Sequence, residues 1–169
     1  MNRRGFFTML SGLAAAGAWG AARAEPAAGP AAGRLVKADG EWRKLLPLDR
    51  YRVLFQEDTE RPFSSPLNGE KHAGKFVCAA CFLPLFDSSR KCDSGTGWPS
   101  FWDALPGAVA RKSDYKLIVP RSEYHCARCG GHQGHVFDDG PPPTGLRYCN
   151  NGLAVEFVPE GQPLPALRV

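Results

Sequence analysis

The chain has 169 residues, of which 43% are apolar and 11% aromatic, enough for one domain with a real core plus extensions. Its formal charge of +4 is concentrated at the start. Without Arg3, Arg4 and Arg23, 18 Lys and Arg face 17 Asp and Glu, and a near-neutral remainder argues against nucleic acid as a partner.

Residues 1–24 read as a twin-arginine export signal. Arg3 and Arg4 precede Phe6 and Phe7, an Ala- and Gly-rich apolar stretch follows, and small residues at 22 and 24 suit cleavage after Ala24. The apolar run is short for a bilayer span of about 20 residues. The expectation is an exported, periplasmic protein with no stable membrane insertion after cleavage. Residues 25–40, small and proline-containing, read as a flexible linker, and residues 41–169 as the functional domain.

Trp42, Leu45 and Leu46, then Tyr51, Leu54 and Phe55, have helical spacing on either side of Pro47, which predicts two short helices over 41–56. From residue 75 the pattern changes to short strands: KFVCAACFLPLF, KLIVPRS, EYHCARC, HVFDDG and LRYCNNGLAVEFV. DDGPPPTG at 138–145 is a turn-dense connection. The expected fold is mainly β, with short helices at its N-terminal end.

Cys78, Cys81, Cys126 and Cys129 form two C-x-x-C pairs separated by 44 residues. Two such pairs complete a tetrahedral site for one structural zinc ion, which would pin two distant segments together. The alternatives are two local disulfides, which two-residue loops strain, or a thioredoxin-like motif, which needs a βαβ context missing here.

Cys92 and Cys149 remain. In a strand, Arg147, Cys149 and Asn151 share one face, continued by Leu153, Val155 and Phe157 unless Gly152 breaks the register. An arginine beside a thiol favours the nucleophilic thiolate. His132, His135 and Asp139 lie in a glycine-rich stretch. Three-residue spacing does not put both histidines on one strand face, and Gly134 is the candidate bend that would. Either histidine has a bland alternative as a zinc ligand or surface residue. For Trp98, Phe101 and Trp102 in GTGWPSFW, core packing is the default.

From Trp42 to Phe157 the sequence resembles the B-type peptide-methionine (R)-S-oxide reductases. The residues that carry the resemblance are TERPFSSPL, the two C-x-x-C pairs, SGTGWPSFW and GGHQGHVFDDGPPPTGLRYCNN. The resemblance implies two antiparallel sheets stapled by one structural Zn2+ on the side away from the active site. It implies that Cys149 is the nucleophile and that methionine-R-sulfoxide, in oxidised proteins or free, is the substrate. Trp98 would pack against the substrate's terminal methyl, and His132, His135 and Asn151 would surround the sulfoxide oxygen. Arg147 and Asp139 would support the cysteine. Turnover would pass through a sulfenic acid on Cys149, reduced by a thioredoxin-like protein or another thiol.

The chain departs from the family in two places. It reads CNNGL where the family usually has CINSA, and Thr96 stands in the turn where many members carry a resolving cysteine. Cys92 is the only spare thiol, four residues earlier, or about 13 Å of extended chain at roughly 3.3 Å per residue. It is a candidate resolving cysteine only if the loop folds back; otherwise it fills a small apolar site. Two other functions suit parts of the pattern: a different thiol–disulfide oxidoreductase using Cys149, or a non-enzymatic zinc-binding module.

Overall fold

The computed structural model describes residues 33–115 and 120–169. The export signal, the linker up to residue 32 and the first four residues of KLIVPRS lie outside that range. Helix α1 (Asp39–Leu45) and helix α2 (Leu48–Gln56) flank Pro47, as the spacing predicts. The carboxylate of Glu41 accepts a hydrogen bond from Ala38 N at 2.9 Å, which satisfies one free amide at the start of α1. The expected linker boundary falls inside this helix, and Leu35 N donates to Arg128 O at 2.8 Å, so the chain is already anchored before residue 40. Trp42 stacks on Phe55 at 4.8 Å, which joins the two helices.

Among the described residues, nine strands form two antiparallel sheets. They are β1 (Gly74–Cys78), β2 (Pro84–Asp87), β3 (Lys91–Cys92), β4 (Ser100–Phe101), β5 (Val109–Asp114), β6 (Arg121–Cys126), β7 (His132–Phe137), β8 (Arg147–Asn150) and β9 (Val155–Pro159). The small sheet has the order β2-β1-β9 and the large one β3-β4-β8-β7-β6-β5. Phe76 and Phe86 from the small sheet meet Phe101, Tyr124 and Tyr148 from the large one, all buried. Phe86 stacks on Phe101 at 4.1 Å, and Tyr124 meets Tyr148 edge-on at 5.2 Å. Offset-stacked and edge-on rings are the favoured aromatic arrangements, so the core is fixed in shape as well as in area.

The expected face running from Cys149 through Leu153, Val155 and Phe157 does not form. After β8 the chain makes a 3-10 turn over Gly152–Ala154 and crosses to the small sheet, where β9 pairs with β1. Strand β5 was not among the expected strands. Its middle residues are exposed and charged, which leaves no alternation to read. Among the described residues, no helix is long and apolar enough to cross a membrane.

Candidate active site and metal-binding cluster

Register builds the site. Cys92 lies opposite Ser100, Ser100 opposite Cys149, Cys149 opposite His135, and His135 opposite Glu123. Directly paired residues in antiparallel strands point to the same face, so one row of polar groups crosses the large sheet on the side away from the aromatic core. His132 joins this face through a bulge. Tyr124 pairs with Gly134 and His125 with His132, leaving Gln133 as the extra residue. The bend that aligns the histidines is therefore at Gln133, not at Gly134. Gly134 answers a different demand, because a Cβ there would sit 1.9 Å from Cys149 O.

The two histidines sit at different depths. His135 lines a pocket of about 120 Å³ together with Trp98, Arg121, Phe137, Cys149 and Asn151. His132 is only 3% exposed and does not line that pocket; its ring centroid is 5.6 Å from that of His135. Its Nδ1 is 3.0 Å from Glu123 Oε1, and burial holds its titration below the ordinary histidine range despite that carboxylate. On the other side, Asp114 Oδ2 lies 2.8 Å from His135 Nε2 and accepts from Arg121 at 2.7 Å.

Arg147 sits over the Phe137 ring at 4.5 Å and is clamped by Asp139 through Nε at 2.8 Å and a terminal nitrogen at 2.9 Å. Fork-to-fork pairing fixes the plane of the guanidinium. Burial pushes the Cys149 thiol above its ordinary value. The charge of Arg147 and the nearby polar side chains of Thr96, Arg147 and Ser100 pull it back without overcoming burial. The expected thiolate bias from Arg147 is thus real but outweighed in the free protein.

Asn151 is placed by three contacts. Its N and Nδ2 donate to Gln133 O at 2.8 and 3.1 Å, and its Oδ1 accepts from Glu60 N at 3.1 Å. Glu60 is a site residue that sequence reasoning missed. Its backbone oxygen accepts from Trp98 Nε1 at 3.2 Å, and its carboxylate accepts from Gly152 N and Leu153 N at 2.6 and 3.0 Å. One buried residue thus steadies Trp98, Asn151 and the turn after Cys149. Its carboxyl is raised by burial, and the two amides oppose the shift. The motif TERPFSSPL contains Glu60 but nothing local gave it a role, because its partners Asn151 and Gly152 lie about ninety residues away in the chain.

Cys92 shares the face of Cys149 but is two strands away, with Ser100 between them. Two strand spacings are about 9.6 Å, beyond the roughly 7 Å that a disulfide allows between Cα atoms. A bond between the two sulfurs requires β4 to leave its place.

Two of the three departures in CNNGL, at Asn150 and Gly152, are accommodated by their neighbours. Asn150 is fully buried, its Oδ1 accepts from Tyr124 Oη at 2.6 Å, and its Nδ2 donates to Asn151 O at 2.7 Å. At Gly152 a Cβ would lie 2.0 Å from Ser65 Oγ and 2.5 Å from Ser65 Cβ, so Ser65 fills the space a side chain would need. Gly152→Ser alone should destabilise the protein by about 1–3 kcal/mol through overpacking. Combined with Ser65→Gly it should cost less than the sum of the two single changes. Denaturant melts of all four proteins check this, and strict additivity would refute the steric link.

The four zinc-candidate cysteines come together. Cys78 and Cys81 flank the turn after β1, and Cys126 and Cys129 the turn after β6, with all four sulfurs within 4.8 Å of one another. The closest pairs join the two motifs, Cys78 to Cys129 at 3.7 Å and Cys81 to Cys126 at 3.6 Å, so neither C-x-x-C is closed on itself. A tetrahedron with metal–sulfur bonds of about 2.3 Å has edges of about 3.8 Å, so the set has the dimensions to hold one metal ion. Neither His132 nor His135 belongs to it. Gln133 Nε2 reaches Cys78 Sγ at 3.7 Å, placing one residue between this cluster and Asn151.

A cysteine set among arginine, histidine and tryptophan on a two-sheet scaffold, with a separate cluster of four cysteines, defines a class of cysteine enzyme distinct from the thioredoxin-like ones. Residues 46–159 match the SelR domain family. Relatives described as "Peptide methionine sulfoxide reductase MsrB" from Agrobacterium fabrum and Pseudomonas putida are each 49% identical over 127 residues, 75% of this chain and 94% and 96% of theirs. One from Methanosarcina barkeri is 49% identical over 125 residues, 73% of this chain and 88% of its own. The chain belongs to the SelR domain family of B-type peptide methionine sulfoxide reductases.

Proposed function

We propose that the protein reduces methionine-R-sulfoxide, protein-bound or free, to methionine with Cys149 as nucleophile. The observation that carries this reading is the shared pocket of Cys149, His135 and Trp98. Its volume, about 120 Å³, is below the roughly 300 Å³ where sites for drug-sized ligands begin, and suits a single side chain. Two larger clefts, of about 640 and 580 Å³, are lined by neither cysteine nor histidine.

In this reading Trp98 packs against the substrate methyl and Arg147 supports the thiolate. The Cys149 sulfur attacks the sulfoxide sulfur while His135, directly across the strands, supplies the proton that activates the oxygen. The oxygen and one proton remain on Cys149 as a sulfenic acid, and methionine leaves as the thioether. Two external thiols, from a thioredoxin-like protein or a small dithiol, then restore the thiol, releasing water and a disulfide. Cys78, Cys81, Cys126 and Cys129 would hold zinc, which supplies structure and takes no part in these steps. The arginine-pair signal supports a site of action outside the cytoplasm.

The deciding assay supplies separated R and S sulfoxide epimers with dithiothreitol. Turnover of R and none of S is expected. Turnover of S, or disulfide exchange with no sulfoxide reduction, overturns the reading in favour of another thiol enzyme.

A further inference from the structure

The family match covers residues 46–159, yet two segments outside that span reach the metal-binding cluster. On the β1 side, Arg168 N donates to Cys81 O at 3.2 Å, and the Arg168 guanidinium lies over the Phe82 ring at 4.7 Å. On the β6 side, Leu35 N donates to Arg128 O at 2.8 Å. The matched domain ties each C-x-x-C turn down through Ala79 N to Ala154 O and Ala127 N to Ala108 O, both at 2.9 Å. Each outlying segment adds one further bond to one of these turns. The two turns need that bond for different reasons. Phe82, next to Cys81, has a φ of 64°, a left-handed conformation that a bulky residue adopts only where its surroundings impose it. Arg168 holds this residue by its ring and the preceding one by its carbonyl. Cys129 is the one member of the cluster that is not buried. It lines a cleft of about 250 Å³ whose other walls include Leu35, Trp42 and Phe55. Leu35 therefore stands at the opening through which an outside ligand would reach the sulfurs.

We propose that Leu35 and Arg168 form a clasp over the two metal-binding turns, which slows the loss of the metal ion without supplying a ligand to it. The inference rests on the cluster holding zinc. A four-sulfur site gives up its metal when one ligand swings away, and bonds that orient the ligand-bearing segments oppose that swing. The two ends of the chain's described portion thereby act on one centre, one on each C-x-x-C pair. Both clasp bonds are donated by backbone N–H groups. Proline at either position removes the donor, whereas alanine keeps it.

The test mixes the zinc-loaded full chain with excess 4-(2-pyridylazo)resorcinol and follows the coloured zinc complex against time. Arg168→Pro should release zinc about tenfold faster than the parent, through loss of one hydrogen bond and the cation–π contact. Arg168→Ala, which keeps the N–H, should give a smaller rise, of about threefold. Leu35→Pro should release zinc faster than Leu35→Ala, which isolates the N–H from the packing of the side chain. Hydrogen exchange at the β7 amides should stay at the parent rate in Arg168→Pro, because the strands themselves are untouched. Release at the parent rate in Arg168→Pro overturns the proposal. So does faster release matched by an equal rise in β7 exchange, which would mark general unfolding. If Arg168→Pro does not fold, release at the parent rate in Arg168→Ala overturns it instead. Metal analysis of the parent separately decides whether the cluster holds zinc, and a parent without zinc overturns both readings.

Discussion

Cys149→Ser is expected to abolish reduction of the R epimer, leaving less than about one part in a thousand of the parent rate. A hydroxyl is a far weaker nucleophile at neutral pH, and it cannot carry the oxygen through a sulfenic state. The substituted side chain keeps its neighbours Thr96, Ser100 and Arg147, so melting temperature and metal content should stay at the parent values. Stopped-assay product analysis with the purified epimer checks the rate, and calorimetry checks the fold. Measurable turnover in the serine protein would move the nucleophile elsewhere, with Cys92 as the only other thiol outside the metal-binding cluster.

Cys78→Ser or Cys129→Ser should have the largest effect on stability. The close sulfur of Cys126, and burial less strongly, raise both thiols, while the same neighbour holds Cys81 well down. A cation bound among the four sulfurs would take the place of their protons. The cluster closes the turns after β1 and β6, so its loss frees one end of each sheet. A loss of several kcal/mol is expected, a large part of the roughly 5–15 kcal/mol that holds a typical domain together. Metal analysis should give one zinc per parent chain and none in the variant. The variant should also lose activity although Cys149 is untouched, because Gln133 contacts Cys78 through its side chain and Asn151 through its backbone oxygen. Metal-free parent protein with an unchanged melting temperature and a disulfide inside each C-x-x-C would refute this account.

What could be read from the sequence was whatever is local or periodic. Pro47 divides two helices because a proline breaks the hydrogen-bond ladder wherever it stands. The two C-x-x-C pairs mark a four-sulfur set because their spacing is short and chemically specific. The long motifs GTGWPSFW and LRYCNN led to the right family. Less legible were the features that depend on which strands meet. The row from Cys92 to Glu123 is set by the register of five strands. The alignment of His132 with His135 depends on a bulge opposite Tyr124. The role of Glu60 depends on contacts to Asn151, Gly152 and Leu153. The 3-10 turn at Gly152–Ala154 diverted the face expected to run on to Phe157. Glycine hinted at a break there, but only the pairing of β9 with β1 shows where the chain goes.

The Gly152–Ser65 and Asn150–Tyr124 contacts bear on how this chain could have diverged. Restoring the family's CINSA here would place isoleucine beneath the Tyr124 hydroxyl, stranding a buried donor, and would drive a serine into Ser65. Neither contact partner lies near residue 149 in the chain. The short segment after the nucleophile is therefore not a cassette that can be exchanged with a relative. A viable route between the two versions passes through paired substitutions, and the order matters: Ser65 must shrink before residue 152 can grow.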